Sequence, residues 1–159
     1  MKIEKLKKEF KEVVCKRLGI EDTKCKQLWN SARRCWEYTR RTKRECAVIL
    51  DKEGNVIVSK GKRFRVCVPE DIKEPIFMFH THYGEPYFSQ DDMGVCLTYN
   101  PKLCCVGGYT RKGDPAFECT ELIVCGPEEL REWRSTDVRS VGTLLWTKWL
   151  YARIALVWI

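Results

Sequence analysis

Ile3, Leu6, Phe10, Val13, Val14 and Leu18 recur at helical spacing. One apolar stripe of this kind predicts a helix over residues 3–18, with Gly19 as its stop. Asp22 and Thr23 can cap a second helix running to about Arg41, with Leu28, Ala32, Trp36 and Tyr38 among its larger apolar residues. The period then changes. Glu45 to Leu50 reads as a buried strand, Asp51 to Asn55 as a turn and Val56 to Ser59 as the next strand, which together make a hairpin. Arg63 to Val68 alternates polar with apolar, the pattern of a half-exposed strand. A loop from Pro69 to Pro75 leads into a strand from Ile76 to His82. Tyr83 to Phe88, with Gly84 and Pro86, is a loop, and Ser89 begins a helix through Tyr99. Leu103 to Val106 and Glu118 to Cys125 predict two further strands, and Pro127 opens a short helix from Glu128 to Trp133. The expected class is mixed α/β, an α+β domain with two helices ahead of a small sheet.

The length of 159 residues suits one domain with one core. Within it, residues 1–21 form an N-terminal amphipathic helix, 22–135 the main domain and 136–159 an apolar C-terminal element. With 44% hydrophobic and 32% charged residues the balance is that of a folded chain, not a disordered one. The stretch Val141 to Ile159 is strongly apolar, but Lys148 and Arg153 interrupt it and it is short for a membrane span. It is expected to pack on the domain or at an oligomer interface, with an interfacial membrane anchor as the alternative. No transmembrane segment is expected. The N-terminus is charged from Lys2 to Glu12 and lacks the apolar core of a signal peptide, so the expected location is cytoplasmic.

Ten cysteines change that picture, because none are spaced C-x-x-C and a thiolate zinc knuckle is therefore not expected. Without a secretion signal they read as buried free thiols, or as disulfides of the kind found in hyperthermophile cytosol. The Lys/Glu/Arg-rich surface points to a thermophilic source. Connectivity is not readable from ten cysteines, though Cys104 and Cys105 cannot both point inward on one strand. The net charge of +7 is concentrated in Lys2–Arg17 and Arg33–Arg44. It is either a solvated helix surface or a face for nucleic acid or an acidic partner, and no nucleic-acid reader motif accompanies it.

The chain's two histidines are His80 and His82. On a strand, positions i and i+2 share a face with Cα atoms about 6.5–7 Å apart, so both imidazoles can converge on one cation. Asp92 follows after a loop, and Ser89 with Asp92 is a helix-start pattern that presents the carboxylate from a first turn. Two His and one carboxylate leave a fourth position open, the mark of a catalytic zinc. Each part also has a plainer account: a half-buried His pair, an ordinary cap. Glu45 begins an apolar strand, where a carboxylate needs an explanation, and is the candidate general base; its plainer account is a solvated strand end. Ser89 can donate to an oxyanion, cap the helix, or do both.

Glu45, then His80-Thr81-His82, then Ser89 and Asp92, resembles the signature of the JAMM (MPN-plus) metalloprotease family: a strand glutamate, H-[ST]-H, a short loop and S-x-x-D. The resemblance covers about Asp22 to Cys125. It implies an MPN, cytidine-deaminase-like sheet flanked by helices, here with an extra N-terminal helix. It also implies one catalytic Zn2+ held by His80, His82 and Asp92, Glu45 as base, Ser89 at the tetrahedral intermediate, and hydrolysis of an amide or isopeptide bond. The expected substrate is a ubiquitin-like or sulfur-carrier protein, lying extended beside an exposed strand, with Pro69–Pro75 and Tyr109–Phe117 as groove walls. Tyr83 stands where the family commonly has proline, Val48 where it has glycine, and the loop from His82 to Ser89 is one residue short. Alternatives are a non-catalytic MPN-like interaction module and, because Glu45 to Asp51 is similar to the RadC-like branch, a nucleic-acid-associated protein.

Overall fold

The computed structural model describes residues 2–61 and 74–120. The N-terminal apolar stripe becomes helix α1 (Lys2–Phe10), a π-helical turn (Lys11–Cys15) and a last short turn α2 (Lys16–Leu18). Gly19, left-handed at φ 65°, ends the run as expected. Helix α3 spans Asp22–Thr42. Its N-cap is Glu21, without a side-chain cap bond, rather than Asp22 or Thr23. Asp22 lies inside the first turn instead, where its charge meets the positive end of the helix dipole. Lys43, left-handed at φ 60°, closes the helix two residues before Glu45.

Among the described residues, five strands form one mixed sheet in the order β2-β1-β3-β4-β5, giving an α+β class. They are β1 (Cys46–Asp51), β2 (Val56–Lys60), β3 (Pro75–Thr81), β4 (Leu103–Tyr109) and β5 (Pro115–Thr120). The hairpin β1-β2 turns on Asp51, whose buried carboxylate accepts from the backbone N–H groups of Glu53 and Asn55, both at 2.9 Å. β3 and β4 are parallel, so the chain must cross over between them, and helix α4 (Gln90–Tyr99) makes the crossover. β5 begins three residues earlier than the sequence pattern indicates, because Pro115 already faces Tyr109 across the β4–β5 pair.

Side-chain alternation splits the sheet into two apolar faces. Phe77, Phe79, Leu103, Cys105, Phe117 and Cys119 meet Phe10, Trp29 and Trp36 from the helices, a cluster of tilted and edge-on rings. The N-terminal helix thus supplies part of the main core. On the other face Ile49, Met78 and Cys104 lie with Cys96 of α4. The sheet is therefore covered on both sides, and the buried strand β1 reads as an unbroken apolar run for that reason.

Four disulfides join described residues: Cys15–Cys25, Cys35–Cys46, Cys96–Cys104 and Cys105–Cys119. They replace the expectation of buried free thiols at these eight positions. Cys104 and Cys105 point to opposite faces and bond different partners, as alternation requires. The strand expected at Arg63–Val68, most of the Pro69–Pro75 loop, Cys67, Cys125, the Glu128–Trp133 helix and the 136–159 element lie outside the described residues. Among the described residues, no helix is long and apolar enough to cross a membrane.

Candidate metal centre

Strand β3 reverses face at every residue, so Phe77, Phe79 and Thr81 enter the helix-side core while Met78 and His80 face α4. Thr81, fully buried between the two histidines, is polar at a core position. Its hydroxyl is paired with the hydroxyl of Thr39 of α3 and lies 3.3 Å from the carbonyl of Cys46. The strand between the histidines is thereby pinned to both α3 and β1. His82 lies one residue past β3, and its backbone N–H donates to the carbonyl of Gly107 at 2.8 Å, which extends the pairing with β4.

The loop after His82 then folds back over β4. Tyr109 N–H donates to the carbonyl of Gly84 at 2.9 Å. A Cβ on Gly108 would collide with the backbone of Gly84, Glu85 and Pro86, so only glycine lets the loop lie this close. The loop delivers Ser89 as the N-cap of α4. Ser89 Oγ accepts from Asp92 N–H at 3.1 Å, and Asp92 Oδ2 accepts from Ser89 N–H at 2.9 Å, a reciprocal capping box. Asp92 is thus held in the first turn, as the S-x-x-D spacing indicates.

The three expected ligand atoms meet. His80 Nε2 and His82 Nε2 are 2.9 Å apart, His80 Nε2 is 3.1 Å from Asp92 Oδ1, and His82 Nε2 is 3.3 Å from Asp92 Oδ2. Zinc ligands at about 2.0–2.1 Å in a tetrahedron stand roughly 3.3 Å from one another. The observed triangle fits a small cation of that kind, and this donor set could hold a metal ion. Each side chain is less than one-fifth exposed, which leaves a way in while excluding most water.

Electrostatics follow from the burial. Burial works to lower the His80 pKa, yet the charge and hydrogen bond of Asp92, with the charge of Glu45, outweigh it and hold His80 above its ordinary value. For Asp92, burial works upward, but His80 and His82 hold the carboxyl well below the usual carboxylate range. The site therefore favours an ionised carboxylate and attracts positive charge.

Glu45 stands just ahead of β1 with the parity of Ala47, whose register partner is His80. Its Oε1 is 3.7 Å from His82 Nε2. Cys46 faces the opposite way and is bonded to Cys35 of α3, which fixes the strand start that carries Glu45. All five polar residues singled out in the sequence are thus brought to one end of the sheet. Of the two candidate groove walls, residues 69–73 lie outside the described residues. In the other, Phe117 points into the helix-side core against Phe10 and Trp36, so it cannot line a groove on the metal side.

One carboxylate escaped the sequence reading. Glu118 is 3% exposed and lies on the same sheet face as His80, in the row His80, Val106, Glu118 across β3, β4 and β5. Its position between Phe117 and Cys119 was the available signal: a charged residue inside an apolar alternation. Compared with protein-family models, curated proteins and solved structures, the chain matches none.

Proposed function

We propose that this chain is a zinc-dependent hydrolase of the JAMM kind, with an MPN-type sheet, that cleaves an amide or isopeptide bond at the C-terminus of a ubiquitin-like or sulfur-carrier-like protein. The observation that carries this reading is the convergence of His80, His82 and Asp92 at tetrahedral-edge spacing with a second acid, Glu45, 3.7 Å from His82. A structural site would take four protein ligands, whereas three ligands and an adjacent carboxylate suit catalysis. Zinc, when bound, supplies a Lewis acid that polarises the substrate carbonyl and brings the pKa of water toward about 7. His80, His82 and Asp92 would hold it.

The remaining work falls to the chain's own groups. Glu45, 14% exposed at its side chain, takes the proton of the attacking water and returns it to the leaving amine. Ser89 uses an oxygen lone pair as the helix cap, so its O–H hydrogen is left to donate to the oxyanion that develops on the substrate carbonyl. Cap and oxyanion donor are compatible duties of one hydroxyl.

Elemental analysis of the wild type beside His80→Ala and Asp92→Ala tests the metal. One zinc per chain, absent from both variants, is the expected result; a folded, zinc-incubated wild type without metal overturns the reading. Cleavage of ubiquitin-like and sulfur-carrier fusions, with Glu45→Gln as the inactive control, then tests the reaction.

A further inference from the structure

The buried face of α3 carries Leu28, Ala32, Cys35 and Trp36 at helical spacing and ends on Thr39. Thr39 is fully buried, and it brings a hydroxyl to a core position where valine would have the same shape without the cost of desolvating a polar group. Thr42 of the same helix uses its hydroxyl in the ordinary helical way, donating back to the Tyr38 carbonyl at 2.7 Å. Thr39 instead reaches past the helix end. Its Oγ1 donates to the carbonyl of Arg44 at 2.7 Å, and it is paired with the hydroxyl of Thr81.

A hydroxyl has one hydrogen to give. With that of Thr39 on the Arg44 carbonyl, the hydrogen between the two hydroxyls belongs to Thr81, and the Cys46 carbonyl at 3.3 Å is the longer, lesser contact. The bonds therefore run in one direction, from Thr81 to Thr39 to the Arg44 carbonyl, and each polarises the next. Both ends of this chain lie at the metal centre. Thr81 sits between the ligands His80 and His82, and the Arg44 carbonyl belongs to the peptide bond that leads into Glu45. The backbone around Glu45 is held on both sides. Lys43 N–H donates to the Thr39 carbonyl at 2.8 Å, the Glu45 carbonyl accepts from Gly61 N–H at 2.7 Å, and Cys46 is bonded to Cys35. Cys35 and Thr39, one helical turn apart, thus grip the chain just after and just before Glu45. Since Cys46 faces Thr81 in the β1–β3 register, Glu45 comes beside His82.

We propose that Thr39 is a positioning residue of the metal centre, whose hydroxyl ties the peptide leading into Glu45 to the strand between His80 and His82 and so fixes the base against the ligands. The inference rests on the hydrolase reading in calling Glu45 a base; the coupling of Thr39 to Glu45 and to a bound metal is read without catalysis. Such a tie matters because a displacement of about 1 Å at a reacting group costs on the order of 10²-fold in rate.

The test uses the full-length chain and measures zinc affinity by chelator competition, with the absorption bands of the Co2+-loaded chain as a second readout of ligand geometry. Thr39→Val, which keeps the shape and removes the hydroxyl, should bind zinc about tenfold more weakly and shift the Co2+ bands. Thr39→Ser, which keeps the hydroxyl, should restore wild-type affinity and bands. Glu45→Gln removes a negative charge beside His82 and should weaken zinc modestly without emptying the site. In the Thr39→Val background the same change should have a smaller effect, because the carboxylate is no longer held there. Thr81→Val breaks the chain at its other end while leaving the Arg44 carbonyl bonded. It should show the same coupling to Glu45→Gln, and it decides the matter if Thr39→Val does not fold. Thr39→Val with wild-type affinity and bands overturns the inference and leaves the hydrolase reading standing. So do equal losses in Thr39→Val and Thr39→Ser, which would mean packing alone, and strict additivity with Glu45→Gln. A wild type that binds no zinc overturns both.

Discussion

Replacing Glu118 by glutamine should make the protein more stable in alkaline than in acidic buffer, relative to wild type. Glu118 is 3% exposed, and burial pushes its carboxyl up to about 7 from an ordinary 4.5. The folded state therefore keeps this proton to about pH 7, while the unfolded chain releases it near 4.5. Between those values the folded state binds more protons than the unfolded one, so stability from this group is present below pH 4.5 and is lost as pH rises toward 7. At about 1.4 kcal/mol per pH unit the full span amounts to roughly 3 kcal/mol, and water reaching the carboxylate reduces this to about 2 kcal/mol. Glu118→Gln keeps the shape and removes the ionisation. The variant should match wild type within about 1 kcal/mol at pH 4.5 and exceed it by about 2 kcal/mol at pH 8. Urea unfolding at both pH values, followed by tryptophan fluorescence in non-reducing buffer, measures the difference; Trp29 and Trp36 lie in the core and report its loss. A gap that is equal at the two pH values, or a variant less stable than wild type at pH 8, would refute the assignment of Glu118 as a buried, poorly compensated carboxyl.

Glu45→Gln should retain zinc and lose about 10²–10⁴-fold in turnover of any cleaved fusion, the range for a general base; a loss of metal together with activity would mean that Glu45 is a ligand instead. Zinc occupancy should fall on acidification from a higher pH than an ordinary histidine site shows, because Asp92 and Glu45 hold the His80 pKa above 6.5 and protons compete with the metal there; equilibrium dialysis between pH 8 and 5 checks this. Removing the Cys96–Cys104 bond with paired serines should cost about 2.5 kcal/mol from the small loop it closes, and should loosen α4 and so weaken zinc binding, which denaturation and a chelator competition measure separately. Gly108→Ala should cost about 1–3 kcal/mol, read by thermal unfolding, since its Cβ must displace the backbone of Gly84 to Pro86.

The local decisions were made by residues near one another in the chain. The stripe from Leu6 to Leu18, the Gly19 stop, the Asp51 turn and the Ser89–Asp92 cap all depend on contacts within a few positions, and these elements appear where the pattern puts them. Period-two alternation likewise placed Glu45 and Cys46 on opposite faces before any neighbour was known. The residues of the candidate site were legible because two histidines with i, i+2 spacing can hardly do anything but share a face. What alternation cannot say is which strand lies beside which. That β1 sits between β2 and β3, that β4 runs parallel to β3 through α4, and that Glu118 falls into the row of His80 follow from burying both sheet faces at once. The same holds for the disulfides, because a pairing depends on distance between Cα atoms that sequence separation does not report. Sequence fixed the chemistry available at each position; only the packing of the sheet against two helical layers decided which of those groups would meet.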